Sequence, residues 1–155
     1  MIFADVTNGD PGPGAGNITI SNNDISLSPS SPYNNVLGAI TILGLDSNSN
    51  IIKGPLFQKL VLSGNSISDV TSAAIAFTST QYLALESNTV TNSNESKYNS
   101  WGNLFSPLSP NDSILIYGSS TGVVCASTIK GRSSGPIGVS SKVDKNIAVE
   151  RSCSQ

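Results

Sequence analysis

The stretch that decides the fold is Leu60–Ile67 (LVLSGNSI). In it two apolar residues are separated by one residue of any type, and an asparagine follows three residues after the second of them. The same unit, apolar-x-apolar-x-x-Asn-x-apolar, occurs at Ile18–Ile25 (ITISNNDI) and Leu83–Val90 (LALESNTV). Weaker copies occur at Gly122–Ile129 and Ile147–Cys153. Because repetition of a short unit is typical of stacked architectures, the sequence predicts a series of similar coils.

A second short apolar strand precedes four of the copies: Leu37–Ile42, Ala74–Phe77, Ser113–Ile116 and Ile137–Val139. Each coil is therefore predicted to contain two strands. The shortest intervals between equivalent Asn or Ser positions are about 23 to 25 residues, which we interpret as the length of a bare coil. The longer intervals predict a single domain over residues 1–155 that carries loop insertions near 26–36, 44–58 and 91–112.

Alternation with a period of two places Ile, Leu and Val on one face of each strand. One coil cannot bury that face, but stacked coils bury it against each other, and parallel strands about 4.8 Å apart align equivalent residues in columns. The repeated Asn is predicted to stand at the bend between strands. Asn tolerates the left-handed conformation, and stacked amides form hydrogen bonds from coil to coil.

The units Asn17–Ile25 and Leu60–Ile67 resemble the repeat of pectate lyases, polygalacturonases and related polysaccharide-degrading enzymes. The resemblance covers most of the chain in four to five coils. It implies an all-β fold, the right-handed parallel β-helix (a single-stranded solenoid). Members of that group are usually longer and carry an N-terminal cap, so the chain is expected to be a C-terminal part of a longer solenoid, with further coils as neighbours.

The resemblance implies a secreted, extracellular polysaccharide-acting enzyme, either a glycoside hydrolase or a polysaccharide lyase. This segment would then serve as scaffold and sugar-binding surface for a polysaccharide or oligosaccharide. The same repeat also occurs in tailspikes and adhesins, so the alternative is a non-catalytic β-helix or carbohydrate-binding module. The polygalacturonase-like enzymes use aspartates in N-x-D, D-D and G-H-G surroundings, whereas this chain has no histidine and no Asp-Asp pair. Catalytic residues of an enzyme parent are therefore expected mainly outside the segment.

Charge excludes two other classes of function. The chain carries 8 basic and 10 acidic residues, a net charge of −2, and only 12% of its residues are charged. Nucleic-acid binding needs clustered Lys and Arg, and a membrane-surface segment needs a basic amphipathic helix. Neither pattern is present in the sequence.

Glu86 and Glu150 occupy the same place in the repeat, with Cys125 at that place in the copy between them. Two coil rises would separate their backbones by about 9.6 Å. Inverting glycosidases hold their two carboxyl groups about 6.5–9.5 Å apart. The functional hypothesis is a catalytic carboxylate pair, and the alternative is two ordinary solvated glutamates.

Substrate contacts are predicted at four other residues. Tyr98 and Trp101 lie in the insertion 91–112, where an aromatic ring would stack on a sugar; the alternative is that Trp101 and Phe105 attach their own loop to the sheet. Lys130 and Arg132 follow a bend and would hold a uronate carboxylate; the alternative is simple solvent exposure.

No cofactor is expected, and a calcium ion held by Asp5, Asp10 and Asp24 is the one alternative considered. A Cys125–Cys153 disulfide and a free Cys125 are both compatible with the sequence. A further outward column contains mostly apolar residues, which predicts a covering loop such as 91–112 or a partner surface. Its members are Thr19, Val61, Ala84, Val123 and Ala148.

Overall fold

The computed structural model describes residues 2–6, 16–26, 38–44, 46, 48, 50, 52, 56–70, 73–93, 112–117, 121–130, 135–139, 147–150 and 153. All regular structure in these ranges is β-strand. In chain order the strands are β1 (Ile2–Val6), β2 (Asn17–Ser21), β3 (Asp24–Ser26), β4 (Gly38–Gly44), β5 (Phe57–Ser63), β6 (Ser66–Ser68), β7 (Ala73–Thr78), β8 (Thr80–Glu86), β9 (Thr89–Thr91), β10 (Asp112–Tyr117), β11 (Thr121–Cys125), β12 (Thr128–Lys130), β13 (Gly135–Val139) and β14 (Ile147–Glu150).

The strands form three sheets, each built from every third strand of the chain. Sheet A has the order β1-β4-β7-β10-β13, sheet B the order β2-β5-β8-β11-β14, and sheet C the order β3-β6-β9-β12. Every pairing in them is parallel. This arrangement confirms an all-β fold of stacked parallel sheets and is consistent with a parallel β-solenoid. We call three consecutive strands, one from each of sheets A, B and C, a coil.

The prediction of two strands per coil is wrong, because sheet C adds a third. Its strands have only three residues each, and one inward side chain per strand does not produce a visible alternation. That single residue is the last apolar position of the repeat unit. In β6 it is Ile67, which is 1% exposed and pairs in register with Ile25 and Val90.

Inward columns build the core as the alternation predicts. Leu62 pairs in register with Ile20, Leu85 pairs with Leu62, and Val124 pairs with Leu85. All four are buried members of one hydrophobic cluster, which also includes Phe77 of sheet A. Truncation of such a Leu to Ala costs about 2–5 kcal/mol, so these columns dominate the stability of the stack.

Sheet A is buried on both faces in β4, in β7 and over residues 113–116, which are the parts whose burial the structure describes, whereas sheets B and C are partly exposed. Every residue of β4 and of β7 is buried. The outward residues Thr41, Ala76 and Leu115 form one column in which none is more than 1% exposed. A parallel sheet covered on both sides reads as a continuous apolar run, as Gly38–Gly44 does. Ligand access is therefore confined to the outer faces of the other two sheets, among the described residues.

A residue with positive φ stands at each kind of bend. Between sheets B and C it is Asn22, Gly64, Ser87 or Ala126, according to the coil. Each of these directly precedes the Asn or Ser of the repeat. The predicted position of the left-handed residue is therefore wrong by one place. The two tasks of the bend are divided between neighbours, because one residue turns the backbone and the next one supplies the side chain that fastens it.

The fastening side chains form a ladder along the stack. Asn65 Oδ1 accepts hydrogen bonds from the backbone N and from Nδ2 of Asn23, at 3.1 and 3.0 Å. Asn88 Oδ1 accepts the same pair from Asn65, at 3.1 and 2.9 Å. Asn65 Nδ2 also donates to the Ile20 carbonyl, and Asn88 Nδ2 to the Leu62 carbonyl, both at 3.0 Å. These bonds confirm the predicted stacking of amides from coil to coil.

We predict that Asn65→Ala lowers the free energy of unfolding by about 3 kcal/mol, because it leaves several buried polar groups of three coils without their partner. Asn23→Ala, at the partly exposed end of the ladder, is the matched control and should cost about 1 kcal/mol. Urea unfolding followed by circular dichroism measures both values. Equal losses for the two variants would contradict a buried, cooperative ladder.

A second prediction concerns the bend residue of the fourth coil. Ala126 has a φ of 48°, where Gly64 occupies the equivalent place with a φ of 64°. Ala126→Gly should stabilise the protein by about 1 kcal/mol, since a Cβ is unfavourable in the left-handed region. The reverse change, Gly64→Ala, should destabilise it, and its Cβ would also lie 2.6 Å from Asn22 Oδ1. Thermal unfolding of both variants tests the sign of each effect.

Candidate functional site

The outer face of sheet B is the candidate site, because it is broad, regular and partly open. Three columns run across its coils. The first consists of Asn17, Lys59, Tyr82 and Thr121, the second of Thr19, Val61, Ala84, Val123 and Ala148, and the third of Ser21, Ser63, Glu86, Cys125 and Glu150. The second and third columns have the membership that the repeat predicts.

An aromatic ring and a cation meet in the first column. Tyr82 is 40% exposed and is the large apolar side chain that the described part of the chain leaves most open to solvent. Lys59, its neighbour in register, is exposed, and its Nζ lies 5.7 Å from the centre of the Tyr82 ring. This distance is within the range of a cation–π contact, worth about 0.5–1 kcal/mol at an exposed site.

Thr121 completes this column on the other side of the ring. It is exposed and in register with Tyr82, and its hydroxyl donates a hydrogen bond of 3.2 Å to the Gln81 carbonyl. An apolar ring edge, an ammonium group and a hydroxyl oxygen therefore stand side by side on a rigid strand. Such a combination suits a ligand with both an apolar face and many hydroxyl groups.

The second column forms a shallow apolar floor beside Tyr82. Val61 and Val123 are half-buried, and Ala84 between them is only 3% exposed. Thr19 and Ala148, at the two ends of the column, are exposed. The central part of the floor is thus shielded from water while its ends are open. The predicted covering loop 91–112 lies mostly outside the described residues.

The third column holds the two glutamates and a disulfide between them. Cys125 pairs in register with Glu86 on one side and with Glu150 on the other. Cys125 is bonded to Cys153, with 4.9 Å between the two Cα atoms, so the pairing that the sequence left open is present. Glu86 is half-buried. The side chain of Glu150 lies outside the described residues, so the catalytic carboxylate pair stays a prediction.

Of the predicted contact residues, Lys130 is the one within the described ranges, and it does not join this face. Lys130 is exposed at the end of β12, in sheet C, where it pairs in register with Thr91 of β9. Tyr98, Trp101 and Arg132 lie outside the described residues, so their roles stay predictions. The fold therefore places Lys130 around a corner from Tyr82 and Glu86, on a different sheet.

The two predicted calcium ligands that the structure describes fall on separate sheets. Asp24 is exposed on β3 of sheet C, Asp5 belongs to β1 of sheet A, and Asp10 lies outside the described residues. Among the residues that the structure describes, no three His, Cys, Asp or Glu side chains come together as a metal site would require.

Asp46 is an acidic residue that the sequence analysis did not single out. Its carboxylate accepts hydrogen bonds from the side chain and backbone N of Asn50 and from the backbone N of Asn48. These bonds, led by the one from the Asn50 side chain, lower the pKa of Asp46 below its ordinary value. The carboxylate thus fastens its own exposed turn.

Tyr82 and Lys59 were missed at the sequence level, although a signal for them exists. Each directly precedes the first apolar residue of its repeat unit. Extending the period-two alternation by one residue toward the N-terminus places both on the outward side, in register with each other. The repeat unit begins at its first apolar residue, Leu60 or Leu83, and so it leaves out the residue before it.

The described part of the chain contains no helix long and apolar enough to cross a membrane. The sequence matches no protein-family model, no curated protein and no solved structure. The assignment of function therefore depends on the geometry of the fold and of this face.

Proposed function

We propose that the chain is a segment of a right-handed parallel β-helix whose sheet B face binds carbohydrate in a secreted protein. The handedness is supported by the general rule that crossovers between parallel strands of one sheet are right-handed in about 98% of cases. The observation that carries the binding role is Tyr82, exposed on a rigid strand with Lys59 beside it. The Cys125–Cys153 disulfide supports secretion, since such bonds persist in oxidising compartments.

The ligand class follows from the groups on the face. A pyranose ring has an apolar side that packs on an aromatic ring, while its hydroxyl oxygens accept hydrogen bonds from an ammonium group. Lys59 and Thr121 stand on either side of Tyr82 along the stack, and each is one coil rise, about 4.8 Å, from it. A chain of sugar units lying along the stack would therefore meet cation, ring and hydroxyl in turn.

We predict that Tyr82→Ala weakens binding of the preferred polysaccharide about tenfold, because the stacking surface is lost. The matched control is Gln81→Ala, which changes an exposed residue on the same strand and should bind as the unchanged protein does. Affinity electrophoresis against a panel of neutral and acidic polysaccharides, followed by calorimetry, measures the effect. Absence of binding by the unchanged protein across the panel, or equal affinity of the two variants, would reject the proposal.

A polysaccharide-cleaving enzyme is the second candidate, and the column that holds Glu86 and Glu150 is the observation in its favour. We expect this segment to act there as scaffold and sugar-binding surface rather than as the catalytic centre. Cys125, which stands between Glu86 and Glu150 in register, is bonded to Cys153 and supplies no catalytic group there. If the protein is such an enzyme, its catalytic groups come from parts of the full-length protein outside this segment.

Polysaccharide cleavage by the full-length protein separates the two candidates, and the effect of Glu86→Gln on that cleavage tests whether Glu86 itself is catalytic. The change keeps the shape of the side chain and removes its charge, so a non-catalytic Glu86 leaves the rate unchanged. A loss of about a hundredfold or more, as expected for removal of a general acid or base, would make Glu86 catalytic. Release of reducing ends measures hydrolysis, and ultraviolet absorbance of unsaturated products measures lyase activity.

A further inference from the structure

The path of the chain after β14 departs from that of the preceding coils. Register places Glu150 beside Cys125, so continuation of the coil would carry Cys153 around the bend to a place beside Thr128. Instead, the Cα of Cys153 lies 4.9 Å from that of Cys125 itself. Cys153 therefore lies away from the position that the coil path would give it, and its sulfur bonds a Cys125 side chain that is 1% exposed.

The fourth coil lacks the contacts that fasten the central coils. At the ladder position it has Ser127, whose Oγ accepts one bond of 3.4 Å from the Asn88 backbone N, where the central coils form paired bonds near 3.0 Å. The bend residue before it is Ala126, held at positive φ. Both features make the junction between the third and fourth coils weaker than the one between the second and third.

The core column of this coil is also interrupted. Gly122 pairs in register with Leu83, the inward residue of β8, so the fourth coil contributes no side chain at this core position. Beyond it, β14 pairs with β11 through four residues. The fourth coil therefore has a weaker ladder bond to the third coil and a gap in its core column, where Gly122 pairs in register with Leu83 on one side and with Ile147 on the other. The disulfide is the covalent connection between β11 and Cys153, which follows β14.

From these observations we propose that Cys125–Cys153 is a redox-sensitive lock that holds β14 against β11. Reduction by a dithiol breaks the S–S bond, forms two S–H groups and converts the reductant into its own disulfide. Strand β14 then leaves β11 while the central coils stay folded. The edge of β11 becomes open, and its free backbone N–H and C=O groups can pair with a further extended strand.

Hydrogen exchange followed by mass spectrometry tests the lock on the full chain, before and after treatment with dithiothreitol. We expect amides of 121–125 and 147–150 to exchange on the order of a hundredfold faster after reduction, since the closed loop that the bond defines is released. Amides of 57–63 and 80–86 should keep their rates. Cys153→Ser should reproduce the reduced pattern without any reductant, and Ser154→Ala, with the bond intact, should reproduce the oxidised one.

Two results would overturn the proposal. Unchanged exchange in both Cys153→Ser and the reduced protein would show that the terminal strand is held without the bond. Loss of protection in 57–63 and 80–86 together with the terminal strands would show that the bond supports the whole stack rather than its end. Alkylation of the freed thiols before digestion confirms that reduction took place.

Discussion

The sharp bend between sheets B and C is the constraint on which the rest of the structure depends. A coil of short strands must reverse direction several times, and each reversal leaves backbone groups without a partner in any sheet. The chain meets this need with two adjacent residues, one at positive φ and one whose amide reaches the next coil. Since the amide of Asn65 bonds both the Asn88 side chain and the Ile20 carbonyl, each bend is tied to its neighbours. The amide ladder therefore specifies the same register of stacking as the apolar columns do.

Register, in turn, decides which residues meet on the outer faces. A slip by one residue would place Leu83 and Leu85 outside and Ala84 and Glu86 in the core. The ladder prevents this slip, because Asn88 must lie opposite Asn65 for its oxygen to accept both bonds. The columns of sheet B are thus a consequence of the bends. An exposed side chain such as Tyr82 gains a fixed neighbour, Lys59, at no further entropic cost to the backbone.

The sequence predicted what depends on periodicity and missed what depends on a few residues. The apolar alternation in Leu60–Ile67 and Leu83–Val90 was sufficient to predict the parallel stack, the register of sheet B and the amide ladder. The third sheet was missed because strands such as Ser66–Ser68 are too short to show any period. The left-handed residue was placed one position late because Asn, the residue type that tolerates this conformation, also serves as the ladder residue. At position 126 the bend is made by Ala, which gives no sequence signal at all.

The candidate site was predictable only in part, for a related reason. The repeat predicted that Glu86 and Glu150 share a column. It did not predict that Cys125 between them is bonded to Cys153, because the spacing of the two cysteines does not determine whether they pair. Cys125 and Cys153 differ by three places in the repeat, and the bond forms because the chain leaves its coil path after Glu150. Two carboxylates in one column, taken alone, resemble a hydrolase pair. With Cys125 between them in register and bonded to Cys153, the same column also carries a covalent link from β11 to the segment after β14. The open aromatic and cationic column on the other side of sheet B then becomes the part of the face best placed for a ligand.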